Sequence, residues 1–176
     1  MESYYKQTNF NGEPTTIKRT RILATFLRAA GQLIKVSYKY LDHGADIGIH
    51  AEGRSIEELF AEAAKGLFSL MVDLNQIKPI SMDSIQIKGE TFSEDLLYEW
   101  LKELLTASDL KRSVYKEFDV NITQKRNKLS LNSQLYGQKI NPDKHTLGSE
   151  VKAITYQGLE VERKAGKWIC QYVVDV

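Results

Sequence analysis

The chain has 176 residues, of which 42% are hydrophobic and 27% are charged, with only three prolines. This composition is typical of a globular protein, and the length fits one domain, or one domain with a tail, better than two domains. A single cysteine, Cys170, excludes an internal disulfide and a cluster of thiolate metal ligands. The sequence shows neither an apolar run long enough to span a bilayer nor a signal-peptide pattern, so we expect a cytoplasmic protein without a membrane partner.

Charge is distributed unevenly along the chain. Residues 1–36 hold six Lys or Arg and two Glu side chains, whereas the remaining 140 residues hold 18 basic and 21 acidic side chains. The main part of the chain is therefore mildly acidic, which is not typical of a domain that binds nucleic acid by itself, because such a domain carries a basic surface. The basic N-terminal segment could still contact phosphate.

Residues 1–34 are predicted to form an extension outside the main domain, which we expect to span residues 35–176. The first 17 residues mix Asn, Gly, Pro, Thr and Tyr without a helical or strand period, which predicts loose structure. The stretch RILATFLRAAGQL (21–33) could form a short helix, although its apolar positions are poorly organised. We therefore expect a poorly ordered N-terminal extension.

From residue 35 the chain shows clear periodic patterns. Alternating apolar residues predict strands in KVSYKYLD (35–42), DIGIHAEG (46–53) and SIQIKGE (84–90), and hairpins around QKRN (124–127) and Ala165-Gly166. Two amphipathic helices are also predicted. The first begins at a capping box formed by Ser55 and Glu58, and the second begins near Ser93, where Glu94 and Asp95 complement the helix dipole.

This order of elements favours an α+β fold. The helices come early and the candidate antiparallel pairs come late, so we expect a mostly antiparallel or mixed sheet with two amphipathic helices packed on one face.

Residues 40–50, YLDHGADIGIH, concentrate acidic and imidazole side chains around a turn. Asp42 and Asp46 flank a glycine-containing stretch, so their carboxylates could converge on one cation, and oxygen donors favour hard ions such as Ca²⁺, Mg²⁺ or Mn²⁺. His43 could add a nitrogen ligand. The alternative is that these residues only turn the chain, because Asp and Gly are the residues that turns require.

The last four residues, VVDV, place the carboxylate of Asp175 beside that of Val176. If the final strand is ordered to its end, such like charges need a cation or a basic side chain between them, whereas a frayed end would leave them in water. Lys152, within VKAITY (151–156), either extends to solvent or holds a phosphate or a carboxylate. The sequence has no Gly-rich phosphate loop and no G-x-S-x-G, H-E-x-x-H or C-x-x-C motif, so no catalytic apparatus is recognisable.

Several stretches together resemble the archease family. They are KYLDHGADIGIHAEGRSIEELFAEAAKGLFSLMVD, LLYEWLKELL, EVKAITYQGLEVE and the terminal VVDV, in the family's order and spacing, from about Val36 to Val176. The resemblance implies a small α+β protein that activates the GTP-dependent tRNA-splicing RNA ligase. Such a protein promotes guanylylation of a ligase histidine and multiple turnover without catalysing ligation, and it meets RNA only through the ligase.

The resemblance also implies a divalent metal ion and a set of functional residues. The implied metal ligands are Asp46, Asp175 and an oxygen of Val176, and the residues implied in ligase activation are Asp42, His43 and Lys152. Two positions depart from the family pattern. Gly44 stands where the family usually has Thr, and Gln157 stands where it often has His.

Two other functions remain as alternatives. A metal-dependent phosphoesterase or nuclease would use His43 as a general base and would turn over substrate without a partner. A chaperone or modulator of nucleic-acid-processing proteins would bind several unrelated clients.

Overall fold

The computed structural model describes residues 5–8, 14–17, 37–43 and 46–176. The chain divides into two compact units, Met1–Val36 and Ser37–Val176. In the first unit, β1 (Tyr5–Thr8) pairs with β2 (Pro14–Ile17) in antiparallel register. The segment that we expected to be loose therefore contains paired strands, and the helix predicted at 21–33 lies outside the described residues.

The second unit has an α+β fold, as predicted. Its described residues form β3 (Tyr38–His43), β4 (Asp46–Gly53), α1 (Ile56–Met71), a 3₁₀ turn (Leu74–Gln76), β5 (Ser81–Glu90), α2 (Ser93–Lys111), β6 (Ser113–Lys125), β7 (Lys128–Lys139), β8 (Ala153–Lys164) and β9 (Lys167–Asp175). Neither helix in the described part of the chain combines the length and the apolar character needed to cross a membrane.

The strands of this unit form two antiparallel sheets rather than one sheet. The order in the larger sheet is β3-β4-β9-β8, and the order in the smaller sheet is β5-β7-β6. Each helix contacts both sheets, since α1 packs on β4 and β6 and α2 packs on β8 and β5. The helices therefore form the middle layer of the unit, and each sheet buries one face against them.

Buried hydrogen bonds connect α1 to the larger sheet and to α2. The hydroxyl of Tyr172, on β9, donates to the carbonyl oxygen of Ala63 at 2.8 Å, and the indole of Trp100 donates to the carbonyl oxygen of Phe60 at 3.1 Å. Both aromatic side chains are fully buried. These bonds satisfy the polar ends of large aromatic groups, which otherwise would be costly to bury.

The predicted start of α1 is confirmed, with a small change in its capping bonds. The Ser55 hydroxyl accepts a hydrogen bond from the amide of Glu58 at 3.1 Å, as a capping residue should. The Glu58 carboxylate reaches back to the amide of Arg54 at 2.8 Å, one residue beyond the position that a capping box requires. Hydrogen bonds from Arg54 also lower the pKa of the Glu58 carboxyl.

Both predicted hairpins are confirmed, and each has a two-residue turn. Arg126 and Asn127 have φ of 48° and 59°, and Ala165 and Gly166 have φ of 50° and 80°. Positive φ at both central residues is the geometry that matches the twist of paired strands. The second turn fixes the register of β8 and β9 and therefore the position of the last residues of the chain.

A large bulge interrupts β8 close to its beginning. Thr155 pairs with Val173 and Glu160 pairs with Gln171, so residues 156–159 all lie opposite Tyr172. Gly158 has a φ of 65°, which glycine adopts at little cost. Tyr156, within this bulge, contacts α2.

Candidate functional site at the end of the larger sheet

The register of β4 and β9 brings two predicted metal ligands together. Ile47 pairs with Val174, and Asp46 and Asp175 are the next residues along their strands. Continuing the antiparallel register by one residue sets Asp46 opposite Asp175. Side chains at facing positions share a face of the sheet, and their Cβ atoms lie about 4.5–5.5 Å apart. The register therefore puts these two residues on facing positions although they come from opposite ends of the unit.

This pair lies on the face of the sheet that points away from the helices. Along β4, Ile49 and Ala51 are fully buried towards the helices, and Asp46 is half-buried on the alternate face. Along β9, Val174 is fully buried and the adjacent Asp175 is half-buried. Both residues keep part of their surface exposed, although Val173, which shares the face of Asp175, is fully buried.

Lys152, which directly precedes β8, also belongs to this site. Its backbone amide donates to the carbonyl oxygen of Asp175 at 2.9 Å, and its Nζ donates to an oxygen of Val176 at 3.0 Å. Ala153, the next residue, pairs with Asp175. The lysine thus places positive charge beside the end of β9.

The backbone of His43 lies on the other side of Asp46. His43 pairs with Asp46 and Asp42 pairs with Ile47 in the β3–β4 register. His43, Asp46, Asp175 and Ala153 therefore form one row across all four strands of the sheet. Gly44 lies outside the described residues. We call Asp46, Asp175, Val176 and Lys152 the acidic tip.

The acidic tip offers part of a coordination shell for a hard cation. Its donors are the carboxylates of Asp46 and Asp175 and an oxygen of Val176, and oxygen donors suit Ca²⁺, Mg²⁺ and Mn²⁺. Within the described residues, no three His, Cys, Asp or Glu side chains converge as a complete metal site would require. The type of donor therefore fits such an ion, and the remaining positions would be filled by water or by a partner.

One other carboxylate on the same face, that of Glu52, is already paired. The Nζ of Lys167 lies 2.9 Å from the carboxylate of Glu52, and His50 lies 3.6 Å from the same carboxylate. The hydrogen bond from Lys167 lowers the pKa of the Glu52 carboxyl. In the described part of the chain neither Asp46 nor Asp175 has such a side-chain partner, so unbalanced negative charge is concentrated at the acidic tip.

The sequence did not indicate a second feature near the tip. Tyr156, in the β8 bulge, stacks on Tyr98 of α2 with ring centroids 3.9 Å apart and an interplanar angle of 21°. Tyr156 nevertheless remains 56% exposed. Gln157, which follows in the bulge, is exposed. No local sequence pattern predicts the contact between Tyr98 and Tyr156, because the two residues lie far apart along the chain.

The fold and the acidic tip define a small α+β protein with carboxylates gathered at the end of an antiparallel sheet. The model of the archease protein family (MTH1598/TM1083) matches residues 38–176. Protein archease from Pyrococcus furiosus is 40% identical over 141 residues, which cover 79% of this chain and 98% of that protein. Protein archease from Pyrococcus abyssi is 36% identical over 140 residues, again covering 79% and 98%. This chain therefore belongs to the archease family.

Solved structures share the same fold. The solution structure of Methanobacterium thermoautotrophicum protein 1598 superposes with a TM-score of 0.73 and 30% identity, covering 80% of this chain and 99% of that chain. A crystal structure of an archease from Thermotoga maritima, described as a possible chaperone, gives a TM-score of 0.51 at 24% identity, covering 78% and 96%. The latter likeness is one of fold.

Proposed function

We propose that this protein is a cytoplasmic activator of a GTP-dependent tRNA-splicing RNA ligase. It promotes guanylylation of the ligase and repeated turnover, and it does not catalyse ligation itself. Membership of the archease family supports this role. The structural observation that carries the proposal is the register that sets Asp46 opposite Asp175, with Val176 and Lys152 beside them.

The acidic tip supplies the chemistry that such an activator needs. A divalent cation, when bound, neutralises negative charge on the phosphates of a nucleotide during nucleotidyl transfer. Asp46 and Asp175 would hold the cation from two neighbouring strands of one sheet. Lys152 binds the oxygen of Val176 and thereby orients the end of the chain.

The incomplete donor set explains why an activator would act on a partner. Two carboxylates and one further oxygen leave several positions of a hard cation open, since Mg²⁺ takes six ligands and Ca²⁺ six to eight. Ligands from the ligase or from GTP phosphates can fill those positions. The tip is also accessible, because both aspartates lie on the face that points away from the helix layer.

Ligase guanylylation tests this proposal directly. The ligase is incubated with labelled GTP and metal, with or without this protein, and covalent GMP transfer is measured. Asp46→Asn and Asp175→Asn keep the side-chain shape but remove the charge, so each should reduce stimulation to nearly the rate of the ligase alone. Glu160→Gln removes an exposed acid from β8 outside the tip and should retain full stimulation. Full stimulation by both tip variants would disprove the assignment.

The two alternatives make different predictions in the same set of experiments. A phosphoesterase or nuclease would hydrolyse RNA or phosphate esters without the ligase, and Asp46→Asn would abolish that hydrolysis. A general chaperone would bind several unrelated proteins with similar affinity. We expect no metal-dependent hydrolysis by the isolated protein and a clear preference for the ligase.

A further inference from the structure

The stacked pair of Tyr98 and Tyr156 forms an aromatic surface that is open to a partner. The ring centroids lie 3.9 Å apart, and more than half of Tyr156 is exposed. An exposed tyrosine held by a parallel ring presents a large apolar area that is already ordered. Little conformational entropy would therefore be lost when another flat group stacks on it.

The helix that carries Tyr98 adds negative charge to this surface. Asp95, Tyr98, Glu99 and Lys102 are three and four residues apart, so they lie on one face of α2. Lys102 contacts the Glu99 carboxylate, and its Nζ lies 5.5 Å from the centroid of the Tyr98 ring. The pKa of the Tyr156 hydroxyl is raised by partial burial and by the negative charges of Asp95 and Glu99. Asp95 and Glu99 against Lys102 therefore leave this face of α2 with a net negative charge.

We propose that Tyr98, Tyr156, Asp95 and Glu99 form a docking site for an arginine side chain of the protein that the acidic tip engages. We call this group the aromatic anchor. Its position is compatible with one partner, because β8 is the edge strand of the larger sheet and carries Tyr156 three residues beyond Ala153, which pairs with Asp175. The identity of the partner as the ligase rests on the proposed function.

Charge and shape favour arginine over other ligands. A guanidinium group is flat and cationic, so it stacks on an aromatic ring while its N–H groups bond to a neighbouring carboxylate. A nucleobase can also stack on tyrosine, but its phosphate would approach Asp95 and Glu99 and would be repelled. Lysine has the charge without the flat surface. The aromatic anchor therefore fits a protein partner better than RNA.

The anchor and the tip have separate tasks, and this separation can be measured. The anchor contributes affinity, and the tip contributes to the guanylylation step. Tyr156→Ala should weaken ligase binding about 5- to 30-fold, the range expected for loss of a cation–π contact. Saturating concentrations of this variant should restore the full guanylylation rate. Asp175→Asn should bind almost normally and fail to stimulate at saturation.

A matched aromatic residue provides the control. Tyr136 is half-buried on β7 in the smaller sheet, and its hydroxyl donates to Gln134 at 2.7 Å. Tyr136→Ala should leave both affinity and maximal rate unchanged, while circular dichroism establishes that all variants are folded. Unchanged ligase affinity in Tyr156→Ala would overturn the proposal. A loss of maximal rate that saturation does not restore would overturn it as well.

A second experiment tests arginine binding at the aromatic anchor without the ligase. N-acetyl-arginine amide is titrated into the full chain, and the aromatic resonances of Tyr98 and Tyr156 are followed by NMR. We expect saturable shifts at both rings, smaller shifts with the lysine amide, and none in an Asp95→Asn/Glu99→Gln variant. Stronger shifts with adenosine monophosphate than with the arginine amide would overturn the proposal in favour of RNA. If the protein fails to stimulate the ligase, the proposed function fails, and this titration still decides the arginine site.

Discussion

Asp46 and Asp175 lie one residue beyond the Ile47–Val174 pair of β4 and β9, so the antiparallel register puts two negative charges on facing positions at the end of one sheet. Like charges at facing positions destabilise a sheet by a few tenths of a kcal/mol to about 1 kcal/mol. The arrangement is therefore favourable only when a cation or a basic group balances it. Lys152 supplies part of that balance through Val176.

This relationship predicts opposite effects of one mutation with and without metal. Asp46→Asn should raise the free energy of unfolding in the presence of a chelator, because it removes repulsion from Asp175. The same variant should lose most of the stabilisation that Ca²⁺, Mg²⁺ or Mn²⁺ gives the wild-type protein, since stabilisation by a ligand follows its affinity. Thermal unfolding with chelator and with each ion measures both effects. Equal metal-induced stabilisation of variant and wild type would refute a metal at this site.

Replacement of Lys152 should affect activity more than stability. Lys152 is exposed, so its bond to Val176 contributes at most about 1 kcal/mol. Lys152→Gln removes the charge that orients the end of the chain, and we expect reduced stimulation of guanylylation with a nearly unchanged urea midpoint. Lys164→Gln, at the far end of β8, is the matched control. The interpretation is wrong if Lys152→Gln unfolds the protein or stimulates fully.

The contact between Asp83 and Lys111 predicts loss of stability in acid. Asp83, on β5, accepts a hydrogen bond from Lys111 at the end of α2 and another from the Tyr115 hydroxyl at 2.8 Å. The Lys111 bond, followed by that from Tyr115, lowers the pKa of the Asp83 carboxyl. Because the folded state favours the charged form, this contribution is complete above about pH 4, the usual pKa of aspartate, and is lost as pH falls through the lower pKa of the folded state.

Urea unfolding between pH 2.5 and 6 should therefore separate wild type from Asp83→Asn. At pH 6 the variant should be less stable by about 1–3 kcal/mol, the value of a hydrogen bond to a charged group. The difference should shrink as the pH approaches 2.5. A constant difference across this range would contradict the role assigned to the Asp83 charge.

The single cysteine should be unreactive in the folded protein. Cys170 is buried on β9, and burial raises the pKa of its thiol to about 12. Since the thiolate is the reactive form, iodoacetamide at pH 8 should modify the native protein very slowly and the urea-unfolded protein rapidly. Mass spectrometry measures both rates. Fast modification without denaturant would show that this part of the core opens readily.

Local chemistry explains which parts of the fold were predictable. Ser55 begins α1 because its hydroxyl caps the amide of Glu58, and that signal lies within four residues of sequence. The turn at Ala165-Gly166 is equally local, because its neighbours alternate on both sides. The paired strands in the first 17 residues were missed because their segments show no strand period.

The arrangement of the strands into two sheets could not be predicted from short stretches of sequence, because paired strands lie far apart along the chain. The pairing of β4 with β9 joins the beginning of the domain to its end, and periodicity does not report such partners. Asp46 and Asp175 were identified as candidates from their residue types and from the family resemblance, but only the register, in which Ile47 pairs with Val174, brings the ends of their strands together. The stacking of Tyr156 on Tyr98 depends on the bulge after Thr155, which the sequence does not signal.

The tight turn at Ala165-Gly166 also determines where insertions can be tolerated in this protein. From that turn β9 runs for nine residues to Asp175. The number of residues in the strand therefore decides on which face of the sheet the Asp175 carboxylate lies. One insertion within β9 would rotate Asp175 towards the helices, because successive side chains alternate between faces. Insertions in the connection between β7 and β8 would leave the strand untouched. Homologues should therefore tolerate length changes in that connection and exclude them from the last hairpin.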